Sequence, residues 1–169
     1  MSVDSINTEE RLGLMGLDSL AISREQLALL FSQLSTPQAA SLKGAYLGKL
    51  YAVEGLRFLP APLRALAHMG VNSAISPWKG KCIEGKTGGN MLLSSAGDKQ
   101  LGFYSVKRGK AYDGSGAAIV LDYDVPENPP MLWKIRGELR EISEQYYLAR
   151  MLYQNKSGWF TVLYFTLRK

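Results

Sequence analysis

The chain has 169 residues, of which 46% are hydrophobic, 10% aromatic and 21% charged. That is enough for one compact core and too little for two independent ones, so a single domain over 1–169 is expected. A mean hydropathy of -0.09 excludes both a disordered tail and an integral membrane protein, and leaves a soluble globule.

One cysteine, Cys82, and one histidine, His68, rule out an intramolecular disulfide and leave too few soft ligands for a structural zinc site. No metal or cofactor is expected. The N-terminus, Met1 to Asn7, is polar and acidic, and no later run approaches the roughly 18 apolar residues of a membrane span, so the expected compartment is the cytoplasm. Twenty Lys and Arg against fifteen Asp and Glu give a net charge of +5 and a pI near 9.3. Such a surplus suits nucleic acid, an anionic lipid surface or a small acidic ligand, and equally an ordinary basic protein.

From Thr8 to Leu34, the apolar residues Leu12, Met15, Leu20, Leu27, Leu30, Phe31 and Leu34 recur at three- and four-residue spacing. Ser23 with Gln26 makes a capping-box start, so one or two short helices are predicted within a helical N-terminal segment, 1–43. Thr36 and Pro37 can open a further short turn. GAYLGKLYAV, Gly44 to Val53, reads as a strand whose glycines permit a bend or a close backbone approach. Pro60 to Met69 is helix-like, with Gly70 as its stop.

From Trp78 onward, short segments alternate with turn chemistry: GKTGG at Gly85 to Gly89, SAGD at Ser95 to Asp98, KRGK at Lys107 to Lys110, DGSG at Asp113 to Gly116, VPENPP at Val125 to Pro130 and QNKSG at Gln154 to Gly158. The strands between them are placed at Trp78 to Glu84, Asn90 to Ser94, Gln100 to Val106, Ala117 to Tyr123, Leu132 to Ile142, Tyr146 to Tyr153 and Trp159 to Leu167. LREIS within Leu132 to Ile142 has helix formers, but the period is two: Trp133, Ile135, Gly137 and Leu139 fall on one face and Lys134, Arg136, Glu138 and Arg140 on the other. With Gly44 to Val53 there are about eight strands, the number at which an antiparallel sheet closes on itself. The fold expected is mainly β, an eight-stranded lipocalin-like barrel over 44–169 with a short helix near 60–69 and N-terminal helices packed against it.

The last two strands are apolar on both faces, so one face fills the barrel and the other needs a cover. The N-terminal helices are one cover, and a second subunit in a homodimer is another. A small barrel lined by Tyr, Met and Phe is where a hydrophobic molecule binds.

Arg136, Glu138 and Arg140 share one strand face, with Asp122 at the end of the preceding strand. Facing out they form a solvated ladder, or pair with Asp122 as structural glue; facing in, the two arginines could hold a carboxylate or phosphate. Trp78, Lys79 and Lys81, followed by Lys86 and Asn90, gather positive charge around an aromatic. The repeated basic and aromatic alternation of a single-strand groove is missing, and nucleic acid is not expected. GKTGGN lacks the phosphate-loop spacing and reads as a hairpin turn. His68 and Cys82 read as packing residues rather than catalytic ones.

The segments GAYLG at Gly44 to Gly48, WKGK at Trp78 to Lys81, LDYDVPENPP at Leu121 to Pro130, IRGELREI at Ile135 to Ile142, YYLARM at Tyr146 to Met151 and LYFTL at Leu163 to Leu167 together resemble a group of small bacterial proteins that includes the GXWXG type. The likeness runs from Gly44 to the C-terminus, with Tyr46 standing where the GXWXG pattern has Trp. It implies no established activity. The positions it marks for testing are Tyr46, Trp78, Lys81, Asp122, Tyr123, Arg136, Glu138 and Arg140.

The function expected is non-catalytic binding of a hydrophobic or amphipathic, fatty-acid-like molecule in the barrel, with Arg136 or Arg140 meeting its acidic head. The alternatives are an isomerase or cyclase that uses Glu138 or Asp122 in the same cavity, and a protein-interaction or membrane-surface module that uses the basic patch.

Overall fold

The structure, a computed structural model, describes residues 23–65, 78–92 and 99–169. Eight antiparallel strands form a closed barrel in simple chain order: β1 (Lys43–Tyr51), β2 (Trp78–Glu84), β3 (Thr87–Leu92), β4 (Lys99–Lys110), β5 (Ala117–Asp122), β6 (Ile135–Ser143), β7 (Tyr146–Asn155) and β8 (Gly158–Arg168). Each strand pairs with its neighbours in sequence, and β8 closes on β1 with Gly48 opposite Leu167 and Leu50 opposite Phe165. Closure leaves no unpaired edge for another chain to extend.

The alternation read from the sequence sorts the side chains. Ile119 and Leu121 of β5, Tyr123 just past its end, Ile135 and Leu139 of β6, and Tyr147 and Ala149 of β7 belong to the interior cluster. The intervening residues face outward. Beyond β1, the 3-10 helix Val53–Phe58 and a helical turn at 61–65 send Leu56, Leu59 and Leu63 into the same cluster, closing the barrel end at which β1 finishes. Gly55 makes this possible, because a methyl group there would collide with the Val162 backbone.

Helix α1 (Arg24–Gln33) covers part of the outer face. The capping box is present: Gln26 N donates to Ser23 Oγ at 3.2 Å, and Ser23 N donates to Gln26 Oε1 at 2.9 Å. Leu27 and Phe31 on one side of α1 pack against Tyr51, Ala118, Leu148 and Tyr164. Each contributes on the order of 1.5–3 kcal/mol of burial. The doubly apolar β7 and β8 are thereby explained, one face inside the barrel and the other beneath a helix of the same chain.

Three element boundaries differ from expectation. KRGK at Lys107 to Lys110 is strand rather than turn, paired with Val120 to Ala117. The bare Gly109 lies under the Val120 side chain, and the reversal moves on to Asp113–Gly114, where Gly114 has φ +74. GKTGG is turn only at Gly85 and Lys86, so β3 starts at Thr87. The chain before Ile135 makes a 3-10 turn at Pro130–Leu132 instead of strand. The helix expected over Pro60 to Met69 is described as far as 65, and His68 and the helical segment proposed before Ser23 lie outside the described residues. No helix among the described residues is long and apolar enough to cross a membrane.

Candidate functional site

Three of the residues singled out from the sequence meet inside the barrel. Lys81 of β2 points inward and is only 4% exposed. Its ammonium donates to Asn90 Oδ1 at 2.6 Å and to the Tyr123 hydroxyl at 2.7 Å. Trp78 Nε1 reaches the same Asn90 oxygen at 3.3 Å, while Asn90 Nδ2 donates to Gly102 O at 3.3 Å and to Tyr123 at 3.1 Å. The rings of Tyr104, Tyr123 and Phe165 lie 4.8, 5.3 and 5.4 Å from the ammonium. Such ring faces partly replace the lost hydration of a cation.

Backbone irregularity places this corner. The register shifts between Trp78 and Gly80 against β3, and again between Gly89 and Asn90 against β4; an extra residue at such a bulge redirects a side chain. Gly80 has φ +146 and lies against the Tyr46 carbonyl, a position with no room for a methyl group. Gly48 leaves the space that the Trp78 ring fills, and the ring meets Phe165 edge-on at 5.7 Å.

Tyr46 is interior but not part of this corner. Its hydroxyl accepts from Lys43 N at 3.1 Å, and its ring meets Tyr147 edge-on at 5.6 Å. Burial and the neighbouring Tyr46 push the Tyr147 phenol up to about 12. Burial also raises the Tyr104 phenol well above the ordinary range, with Tyr123 and Cys82 adding to it. The Tyr104 hydroxyl donates to the backbone of Cys82 or Gly89 at 3.0 or 3.2 Å.

Arg136, Glu138 and Arg140 lie on the outer face of β6, and the solvated ladder and the interior headgroup site are both corrected. Glu138 is fully buried and Arg140 2% exposed, beneath α1 and the 111–116 loop. Arg140 spends its guanidinium on the carbonyls of Phe31, Ser32, Ser115 and Ala117 at 2.7–3.0 Å and on Ser115 Oγ at 3.1 Å. It ties α1 and the 111–116 loop to the barrel. Glu138 accepts from Arg150 Nε and Nη2 at 3.0 and 2.7 Å, from Tyr112 N at 3.0 Å, and pairs with Arg136 at 2.7 Å. Arg150 reaches on to Asp113 at 2.7 Å and lies 4.2 Å from the Phe31 ring. Burial would raise the Asp113 carboxyl, but hydrogen bonds from Arg150 and Ser115 hold it well below the usual carboxylate range. Asp122 pairs with Lys107 at 2.8 Å on the outside, not with Arg136 or Arg140. Neither carboxylate considered for acid-base chemistry faces the barrel interior.

Two clefts lie outside the barrel, of about 410 Å³ between Ser23, Arg24, Glu25, Arg57 and Phe58, and about 310 Å³ along Arg24, Phe58, Trp159 and Phe160. Among the described residues no group of three or more His, Cys, Asp or Glu could hold a metal ion.

Asn90 was placed beside Trp78 and Lys81 only as part of a basic surface patch; Tyr104 and Phe165 were not singled out with Trp78, Lys81 and Tyr123, nor Arg150 and Asp113 with Glu138. Plain counting misplaces Arg150: going back from the reversal at Glu144 and Gln145 sets it opposite Leu139, and the irregularity between Glu141 and Ser143 moves it to face Glu138. The inward aim of Asn90 likewise depends on a bulge, the one after Gly89.

No protein-family model matches the chain, and no curated protein matches it. Among solved structures it is similar to a protein from Thermomonospora curvata, at 17% sequence identity and a TM-score of 0.65 over 97% of this chain and 99% of that one. At that identity the likeness is one of fold, and it extends over nearly the whole length of both chains.

Proposed function

We propose that the protein binds a hydrophobic or amphipathic small molecule, fatty-acid-like in build, inside a lipocalin-like barrel, and acts as a carrier rather than a catalyst. The observation that carries this reading is the Trp78, Lys81, Asn90 and Tyr123 corner, a small convergent polar set among the buried Tyr, Phe, Leu and Ile side chains of the barrel interior. Apolar walls with a few placed polar groups are the usual chemistry of a small-molecule site. A purely structural interior has no need of a lysine, since an apolar side chain of similar volume fills the space without desolvating a charge. Glu138 and Asp122, the carboxylates that the isomerase or cyclase alternative names, both lie on the outer face of the barrel.

Native mass spectrometry of the protein as purified, repeated after organic extraction, tests the proposal. We expect a co-purifying mass that extraction removes, and binding of an environment-sensitive apolar dye by the extracted protein. The bare chain in both spectra, together with no dye binding, would overturn it.

A further inference from the structure

The polar corner holds more donors than acceptors, and we infer that the ligand's polar end is a carboxylate received by Lys81 and Tyr123. This rests on the reading of the barrel interior as a binding site and names the class of molecule that enters it.

The inference comes from counting. An ammonium has three N–H donors; Lys81 places two, on Asn90 and Tyr123, and among the described residues the third meets no oxygen or nitrogen, only the ring faces of Tyr104 and Phe165. Among the described residues, four ion pairs join Lys107 to Asp122, Arg136 and Arg150 to Glu138, and Arg150 to Asp113. Among the described residues, no carboxylate pairs with Lys81. The Tyr123 hydroxyl already accepts from Lys81 and Asn90, so its own O–H must go elsewhere. Its one acceptor among the described residues is Asn90 Oδ1 at 3.4 Å.

That oxygen is oversubscribed. Lys81 at 2.6 Å, Trp78 at 3.3 Å and Tyr123 at 3.4 Å all converge on it, whereas an amide carbonyl offers two lone pairs. Two donors, the third N–H of Lys81 and the O–H of Tyr123 with its long share of the Asn90 oxygen, therefore sit on neighbouring atoms 2.7 Å apart. A carboxylate offers two oxygens to such a pair and supplies the negative charge that the buried ammonium lacks. An alcohol oxygen can accept from both donors but leaves the charge unanswered, and an amine adds a second cation.

The test compares dodecanoate, dodecanol and dodecylamine, matched in chain and different in head, by displacement of the apolar dye from the extracted full-length protein. We expect dodecanoate to bind at least about tenfold more tightly than dodecanol and dodecylamine to bind most weakly. Lys81→Met, which keeps the unbranched apolar stem, should remove the preference for the acid while dodecanol still binds. Tyr123→Phe should reduce the preference. Should Lys81→Met fail to fold, lysine-selective NMR of the native chain provides the second readout: the Lys81 resonance should move with dodecanoate and stay with dodecanol.

Equal binding of acid and alcohol, or an acid preference that survives Lys81→Met, would overturn the carboxylate inference while leaving the barrel a binding site. Failure of the dye and all three compounds to bind would overturn that reading and this one with it.

Discussion

Gly48 and Trp78 occupy one space: the ring of the tryptophan fills the volume that a β-carbon on the glycine would need. Gly48 thus acts through what it lacks, since it sits on β1 across the interior wall and lets the indole lie against Phe165 with its N–H toward Asn90. The same logic joins the GAYLG and WKGK segments a second time, through the contact of Gly80 with the Tyr46 carbonyl.

Gly48→Ala should therefore push the ring out of its seat. Overpacking of this kind typically costs about 1–3 kcal/mol, and the polar corner loses the Trp78 hydrogen bond as well. We expect a lower urea midpoint and a changed near-ultraviolet dichroism. An unchanged midpoint would show that the indole can be accommodated elsewhere.

Glu138 and Arg150 make a second pair whose two halves should respond unequally. Both are buried, cross-strand partners and doubly hydrogen-bonded. Removing one partner of a buried pair typically costs about 3–5 kcal/mol, whereas replacing both by apolar groups is often near neutral. Arg150→Met alone should be severely destabilised, and adding Glu138→Leu should recover much of the loss, because Arg136 is part-exposed and can turn to solvent. Urea denaturation of the two single variants and the double variant decides it; additive losses would mean that Glu138 and Arg150 contribute independently rather than as a pair.

Much of this architecture was legible in the chain before any coordinates. Turn chemistry every several residues marked out the eight strands, and period-two alternation put Arg136, Glu138 and Arg140 on one face. What covers that face was not legible, because Phe31 and the 111–116 loop come from elsewhere in the chain and alternation describes one strand at a time. The exterior arginines drew attention as an anion site, but the tertiary structure satisfies Arg140 with five acceptors. The interior cation is instead Lys81, which had been grouped with a basic patch. KRGK shows the converse failure: a glycine flanked by cations has the composition of a turn, yet Gly109 is a strand residue chosen to fit Val120.

Alkaline titration tests the interior packing around the tyrosines. Tyr147 is raised to about 12 by burial and by Tyr46. Burial raises Tyr104 and Tyr164 as well, against the lowering effect of Arg150 on the latter. A phenol whose folded value lies above its unfolded value near 10 contributes stability that is fully present below pH 10 and lost as pH climbs toward the folded value. Of the nine tyrosines, these three should ionise at higher pH in native protein than in the urea-unfolded chain, whose phenols titrate at about 10. Ultraviolet absorbance of tyrosinate measures the difference. Coincident native and unfolded curves would show these rings to be open to water.

The acid side depends on Asp113. Its carboxyl is held below the usual range by Arg150 and Ser115 despite burial, so the sign is the reverse of the tyrosine case. The stability it contributes is fully present above the unfolded value of about 3.9 and drains away as pH falls below it toward the folded value. Asp113→Asn keeps an oxygen for Arg150 but cannot titrate. The variant should be less stable than the native chain at neutral pH, and the gap should narrow as the pH is taken down through this range, followed by the urea midpoint at each pH. Parallel curves would mean that Arg150 draws its compensation from Glu138 alone, and that Asp113 serves only to shape the 111–116 loop through its hydrogen bond with Ser115 N.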